Sequence, residues 1–447
     1  MIQCNCYNQN KTLKESDYMS QSNYTRNILN IKDKNIFFNE NCLKTRKENG
    51  KEVKIFHGYL TYIPKYCENC GVINEGTNDI IKWGFDKNCL VKIPKVSNFN
   101  TILLLDKQRF YCKHCHSTFN ARTSLVDFHK QISNNTKLSI ILDLMNKGSE
   151  KDISIRNNVS TNSTNRILHE ISKDFLVKNN GFLPTIFGID EFRATTDTIS
   201  KMAFIIVDQT KKNIFDINNS RKSLDIQHYF KRYSKKQRDK VKFITLDLYK
   251  PYYKLMHSLF KNAILIPDRF HIVIQVRNAL DKTRIKLCTK SNPYYRKLKK
   301  YWKLILKDKR KLDKNNKRYY KEFRKEMSQY DIVSFLLNTN NELYQTYKVY
   351  QSILYSIDTR NKDIFLSIIH GNNKEVSIYM KKAIKTFINM EKYILNAFDY
   401  EYSNGIVEGT NNLIKQIKHT ACGYRKFNHL KARVMLIKGL LNPIKAY

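Results

Sequence analysis

Ile186-Phe187-Gly188-Ile189-Asp190-Glu191-Phe192 is an apolar run that ends in an acid, and the stretch from Thr185 to Asp268 repeats the pattern, with further strand-like runs stopping at Asp208, Asp247 and Asp268. Aspartate is a poor strand former, and a buried carboxylate is costly unless a cation pairs with it, so acids at the ends of core strands point to a metal site. A single aspartate equally often starts a turn, so the order of the elements has to decide.

Strands are expected over 186–191, 201–207, 213–217, 241–246 and 263–267, with helices over 224–233 and 251–259. Three strands in succession form an antiparallel meander, and the strand–helix alternation after them forms parallel crossovers, giving a mixed sheet. This order resembles an RNase H-like domain, in which one acid lies on the first strand, one after the fourth, and a third on a later helix. Carboxylates so placed hold two divalent ions against the attacking and leaving oxygens of a phosphodiester. The third acid is expected at Glu408, in Ser403-Asn404-Gly405-Ile406-Val407-Glu408-Gly409-Thr410-Asn411-Asn412-Leu413-Ile414-Lys415. Ser403 or Asn404 can cap a helix there; Val407, Ile414 and Ile417 share its apolar face, while Glu408, Asn411, Asn412 and Lys415 fall on another. The bland reading is a capped amphipathic helix with Glu408 at its positive end.

The chain has 447 residues, 41% hydrophobic and 12% aromatic, enough for real cores in two or three domains. Lys and Arg total 80 against 40 Asp and Glu, a formal charge of +40. AT-rich coding alone can produce a bias to Lys, Asn and Ile, but the two-to-one ratio still favours nucleic acid as partner. No apolar run reaches about 18 residues and no signal pattern opens the chain, so no membrane is expected and cytoplasmic residence is. The ten cysteines then read as thiols or metal ligands. Cys67-Glu68-Asn69-Cys70 and Cys112-Lys113-His114-Cys115 are two C-x-x-C knuckles, each ending a strand, and present four thiolates to one structural Zn2+. Cys89, His114 and His116 are spare candidates for the same ion, read as bystanders, and Cys4 and Cys6 have no assigned role. Short strands are expected over 28–38 and 53–63.

From Asn134 onward the periodicity turns helical: 136–145, a second short helix from Ile153, a turn at Val159-Ser160-Thr161, and a third over 163–171. This is the outline of a helix-turn-helix, with Ser163, Thr164, Asn165 and Arg166 offered to the major groove of DNA. The span from Asp268 to Glu408 is too long for a loop and is rich in Lys, Arg and Tyr. It reads as an all-helical insertion, in which Tyr294, Tyr295, Arg296, Lys297, Lys299, Lys300, Tyr301 and Trp302 suit phosphate contact and base stacking.

Taken together, the paired knuckles, Gly188-Ile189-Asp190-Glu191-Phe192, Pro267-Asp268-Arg269-Phe270-His271, Asn404-Gly405-Ile406-Val407-Glu408-Gly409 with Asn411-Asn412, and Gly423-Tyr424-Arg425 resemble the insertion-sequence transposases of the ISL-three type. The resemblance implies a multidomain α+β chain: a polar tail (1–24), a zinc ribbon (25–130), a helix-turn-helix (131–180), an RNase H-like mixed α/β core (181–272), a helical insertion (273–400) and the closing core helices (401–447). It implies DNA cleavage and strand transfer with Mg2+ or Mn2+, two ions held by Asp190, a second aspartate and Glu408. Its partners would be double-stranded DNA, at terminal inverted repeats and target, with a homodimer or larger synapse, in a bacterial, nucleoid-associated setting. Asn411, Asn412, Lys415, Tyr424 and Arg425 are expected to touch DNA. The segment Arg193-Ala194-Thr195-Thr196-Asp197 departs from the basic residues usual there.

The second aspartate is Asp247 or Asp268. Two ions about 4 Å apart need carboxylates on adjacent strands, and the fourth strand lies beside the first, so Asp247 is preferred, with Asp268 and His271 as a supporting pair. The competing readings are a catalytically inactive zinc-ribbon and helix-turn-helix DNA-binding protein, and an RNase H-like nuclease without strand transfer. Tyrosine recombination lacks an assignable arginine and histidine cluster.

Overall fold

The computed structural model describes residues 21–48, 50–75, 79–175 and 181–440. Cys4, Cys6 and the polar segment up to residue 20 lie outside the described residues, as do residues 176–180 at the expected domain boundary and the last seven residues. Two compact units emerge: Met1–Lys178 with Gln416–Tyr424 and Asn428–Tyr447, and Asn179–Lys415 with Arg425–Phe427.

The first unit opens with α1 (Gln21–Ile28). A strand from residue 28 is therefore not formed: Leu29 and Ile31 are buried, and β1 (Ile36–Glu48) begins only after a turn in which Asn30 adopts φ 51°. β2 (Lys51–Leu60), β3 (Ile80–Lys92), β4 (Asn100–Cys112) and β5 (Thr118–Asn120) complete a sheet of order β1-β2-β4-β3, with β5 against β4. Along β4, Thr101, Leu103 and Leu105 are buried in alternation, and after a shift of phase so are Gln108, Phe110 and Cys112, the period-two pattern of a sheet with a face on a core. The insert between the knuckles is thus an antiparallel strand pair, within a larger sheet than a minimal ribbon.

Three helices follow, α2 (Asn134–Leu144), α3 (Glu150–Arg156) and α4 (Thr161–Phe175). Ser133 and Ser149 cap the first two, accepting the backbone N–H of Thr136 and Asp152. Ile140, Ile141, Leu144, Ile153, Ile167, Leu168 and Ile171 form their core, joined by Ala432 and Leu436 from the last helix of the chain.

The second unit is built on β6 (Ile186–Arg193), β7 (Met202–Asp208) and β8 (Asn213–Asn218), an antiparallel meander. After α5 (Ser223–Lys231) and α6 (Lys235–Arg238), β9 (Phe243–Leu246) pairs parallel with β6. After α7 (Lys250–Leu259), β10 (Ile264–Pro267) pairs parallel with β9, so the mixed sheet runs β10-β9-β6-β7-β8. Asp268 then caps the 19-residue α8 (Arg269–Leu287). The insertion continues through α9 (Tyr295–Lys300) and α10 (Trp302–Ile305), and is not all-helical, because β11 (Arg318–Tyr320) and β12 (Lys325–Met327) form an antiparallel hairpin. α11 (Gln329–Leu337), α12 (Asn341–Asp358), α13 (Lys362–His370), α14 (Ile378–Asn389) and α15 (Glu391–Asp399) complete it. The chain ends with α16 (Gly405–Thr420) and α17 (Phe427–Ile437). The range 401–447, expected as one closing segment of the sheet domain, is divided: Gln416–Tyr424 and Asn428 onward group with the first unit, where α17 supplies apolar side chains to the three-helix core.

Candidate active site and metal centre

Parallel pairing sets Gly188 of β6 opposite Thr245 of β9, and Leu246 of β9 opposite Pro267 of β10. Carried onward, this register brings Asp190, Asp247 and Asp268 to one level along three neighbouring strands, each about 4.8 Å from the next. Asp190 and Asp247 are direct neighbours; Asp268 is one strand further.

Burial and mutual charge shape these acids. Burial raises the Asp190 carboxyl above its ordinary range, although Oδ1 accepts the Glu191 N–H at 2.7 Å and Oδ2 accepts Asn411 Nδ2 at 2.6 Å. Burial, then the Asp190 charge, pushes Asp247 up to about 7. His271 lies between Asp247 and Asp268, its Nε2 3.1 Å from Asp247 Oδ2 and its Nδ1 3.4 Å from Asp268 Oδ2. Burial disfavours the imidazolium, but the carboxylates outweigh it and raise its pKa. His271 thus bridges two acids rather than serving Asp268 alone. Asp268 Oδ1 accepts the Phe270 N–H at 3.4 Å, so this acid already has a capping task. Ligand atoms of Asp247, Asp268 and His271 lie within 4.8 Å of one another, a group that includes neither Asp190 nor Glu408. Asp247 Oδ1 and Asn411 Oδ1 are buried without a hydrogen-bond partner, so both are able to accept from a group that enters the site.

The first turn of α16 docks on the sheet through a buried polar chain. Gln209 Nε2 donates to Thr245 Oγ1 and to the Ser403 carbonyl, Thr245 Oγ1 donates to Asn404 Oδ1, and Asn404 Nδ2 donates to the Ile189 carbonyl. Gly188 is required beneath it: a Cβ there would lie 2.5 Å from Val407 Cγ2 and 2.7 Å from Thr245 Oγ1. Asn404 is therefore a docking residue, and Ser403 Oγ accepts the Gly405 N–H. Sequence reasoning passed over Gln209 and Thr245; a threonine buried in an otherwise apolar strand was their one signal. Val407, Ile414 and Ile417 are buried as the helical spacing implies. Of the opposite face, Asn411 is buried on Asp190, whereas Glu408, Asn412 and Lys415 are exposed. Glu408 lies three residues before Asn411, neighbours on one helix face with Cβ atoms about 5–6 Å apart.

In the first unit, Cys67, Cys70, Cys112 and Cys115 bring their sulfurs within 4.8 Å of one another. Cys67 and Cys115 are 3.7 Å apart and Cys70 and Cys112 3.8 Å. Four sulfurs each about 2.3 Å from a zinc ion form a tetrahedron with edges of about 3.8 Å, so the donor set fits. Hydrogen bonds from Ser117 lower the Cys115 thiol to about 6. Cys89 is not in the group, and His116 Nδ1 is engaged with the Tyr111 hydroxyl at 2.8 Å.

The residues expected on DNA are dispersed in exposure. Arg166 is exposed at the start of α4 and Ser163 and Asn165 are partly so, but Thr164 is fully buried, which corrects its place in that set. Arg425 is exposed; Tyr424 is partly buried and its hydroxyl accepts Arg433 Nε at 3.2 Å. Arg433 is itself buried and donates to the carbonyls of Leu144, Asn146 and Gly148, ending α2. Asp197 accepts the Phe427 N–H at the start of α17. In the insertion, Tyr301 is buried and Tyr294 meets Phe335 edge to face, so these rings are engaged within the protein.

A family model describing transposases of the DDE, ISL-three type matches residues 187–434, more than half of the chain. A curated protein from Lactococcus lactis subsp. lactis, described as an ATP-dependent protease, is 33% identical over 121 residues, 27% of this chain. The match spans 39% of that relative's length. Among the described residues no helix is long and apolar enough to cross a membrane.

Proposed function

Because the chain belongs to the ISL-three transposase family, we propose that it binds the ends of an insertion sequence and performs divalent-cation-dependent DNA cleavage and strand transfer at Asp190, Asp247 and Glu408. Family membership makes it a DNA-processing enzyme; the chemistry and the residues are our reading. The observation that carries it is the shared level of Asp190 and Asp247 on adjacent strands, with a buried Asp247 oxygen left unpartnered.

In this reading the sheet unit is an RNase H-like core. When bound, Mg2+ or Mn2+, as two ions, supplies charge that stabilises the attacking and leaving oxygens of an in-line displacement. Asp190 and Asp247 hold the cations, Asn411 fixes the Asp190 rotamer, and the Gln209–Thr245–Asn404 chain positions α16 so that Glu408 closes the site. His271 holds a proton between Asp247 and Asp268, offsetting their repulsion while no divalent cation is present. The Cys67, Cys70, Cys112 and Cys115 set holds one zinc ion in a ribbon domain, and α2 to α4 form a helix-turn-helix whose Ser163, Asn165 and Arg166 reach DNA. Asn412, Lys415 and Arg425 are further DNA contacts. Two element ends must meet for joining, so the active species is a homodimer or larger synapse.

The test is cleavage of DNA carrying element ends, followed by joining of pre-cut 3′-hydroxyl ends. Asp190→Asn, Asp247→Asn and Glu408→Gln each reduce cleavage by about 10³-fold or more with DNA binding intact, the loss expected when transition-state charge stabilisation is removed. Wild-type cleavage by Asp247→Asn, with loss in Asp268→Asn, transfers the role to Asp268. Cleavage without joining leaves a nuclease.

A further inference from the structure

We propose that the β11–β12 hairpin and the turn before it form a second, sequence-independent grip on the phosphate backbone of duplex DNA. The inference deepens the transposase reading and rests on it for the identity of the polyanion. Its first observation is charge: from Lys282 to Lys325 the chain carries nineteen Lys and Arg against three Asp and Glu, the densest part of the +40 total. Lys314, Lys317, Arg318, Lys321, Arg324 and Lys325 are all exposed, around an outward Tyr319 that is 66% exposed. Opposite Tyr319 in the ladder, just past that stretch, stands Glu326, the one exposed carboxylate of the hairpin.

The second observation is that the hairpin is held firmly. Tyr320 and Phe323 pack on Tyr301, Phe323 packs on Phe335 at 5.2 Å, and Met327 is buried. Lys297 Nζ sits among the rings of Tyr294, Phe323 and Phe335 at 5.3 to 5.7 Å. Glu322 is spent internally on Lys300 and the Tyr301 hydroxyl. A packed anchor that turns its rings and Glu322 inward and six cations outward, against the single exposed acid Glu326, concentrates positive potential. The hairpin packs beside α9, whose Leu298 carbonyl accepts from Arg284 near the far end of α8. At about 1.5 Å per residue along α8, that end lies about 24 Å from Asp268. In this proposal the grip falls on flanking duplex, not on the phosphate that is cut.

The experiment is equilibrium binding of the full chain to a duplex of arbitrary sequence, and to its single strand, across a salt series. Each phosphate contact contributes about 0.9 to the slope of log affinity against log salt. Replacing the six cations by Gln should flatten the duplex slope by about 3 or more, so that the affinity ratio between about 50 and about 200 mM salt shrinks about 60-fold or more. The loss should be the same for any duplex sequence. A variant limited to Lys317→Gln, Arg318→Gln and Lys321→Gln should give about half the change with an unaltered melting temperature, which separates charge loss from misfolding. An unchanged slope, a loss confined to single strands, or weaker binding at all salts with the slope intact overturns the proposal. Binding is the readout, so a failure of the carboxylate chemistry leaves this result legible.

Discussion

The thiol group and the carboxylate group are assembled in opposite ways. Each C-x-x-C pair is local, and one strand pair, β3 with β4, brings the two pairs together. Every sulfur there lies within reach of the others, as in a structural metal site that needs nothing more. The carboxylates come singly from three strands, and their partner Asn411 is 221 positions from Asp190. They keep buried oxygens unpartnered at Asp247 and Asn411. In the proposed reading one centre is closed to hold the fold, and the other is left open to take a ligand.

The largest effect expected from this contrast is at the closed centre. A structural zinc ion contributes on the order of 10 kcal/mol to folding, so Cys112→Ser should lose both the metal and the cooperative melting of the first unit. Metal analysis should find one zinc per chain in the wild type and none in the variant. A zinc-free protein that melts like the wild type would remove the contrast altogether.

That centre was legible because its meaning lies in spacing, which a sequence displays. The order of the mixed sheet was legible for the same reason: apolar runs broken by Asp208, Asp247 and Asp268 mark strand ends regardless of what packs on them. The docking of α16 was not. Asn404 looked like a helix cap, and only register and packing show its amide spanning Thr245 and the Ile189 carbonyl. Likewise Thr164 stands in a polar run, and its burial depends on how α4 packs in the three-helix core. The split of residues 401–447 was hidden because Ala432 and Leu436 are apolar in either unit.

The open centre depends on that docking, and Gly188→Ala tests it. The added methyl would meet Val407, Thr245 and Gln209 at 2.5 to 2.9 Å, and such overpacking costs about 3 kcal/mol. Thermal denaturation should show the loss, and cleavage should fall at least about 10-fold, because a shift well under 1 Å at a catalytic group is costly. Val407→Ala in the same chain should restore part of both. Full activity in Gly188→Ala would mean that α16 is not held where the chemistry needs it.

A smaller effect sharpens the claim that the carboxylates await a cation. An unfolded aspartate titrates at about 3.9, whereas burial and the Asp190 charge push Asp247 in the fold up to about 7. Between those values the folded chain binds more protons than the unfolded one, so stability falls as pH rises from about 4 to about 7 and the deficit is complete above that. Asp247→Asn should therefore raise stability by about 2 kcal/mol at pH about 8 in chelator, after allowing for solvent screening, and change little at pH about 4. Adding Mg2+ should reverse the order, stabilising the wild type alone. A wild type indifferent to Mg2+ at pH about 8 would sever the open site from its proposed cation.

The smallest effect concerns the segment where the sequence departs from the family pattern. Asp197 stands in a turn where basic residues are usual, and both its oxygens accept the Phe427 N–H, at 3.1 and 2.9 Å, at the start of α17. A carboxylate there satisfies a donor that the helix cannot and faces its positive end. Asp197→Ala should cost about 1 kcal/mol in thermal denaturation, and Asp197→Asn less, because the amide oxygen still accepts. DNA affinity should be unchanged in both. A marked gain in affinity from Asp197→Ala, at equal stability, would instead return this turn to the DNA surface and make its negative charge a restraint on binding rather than a cap.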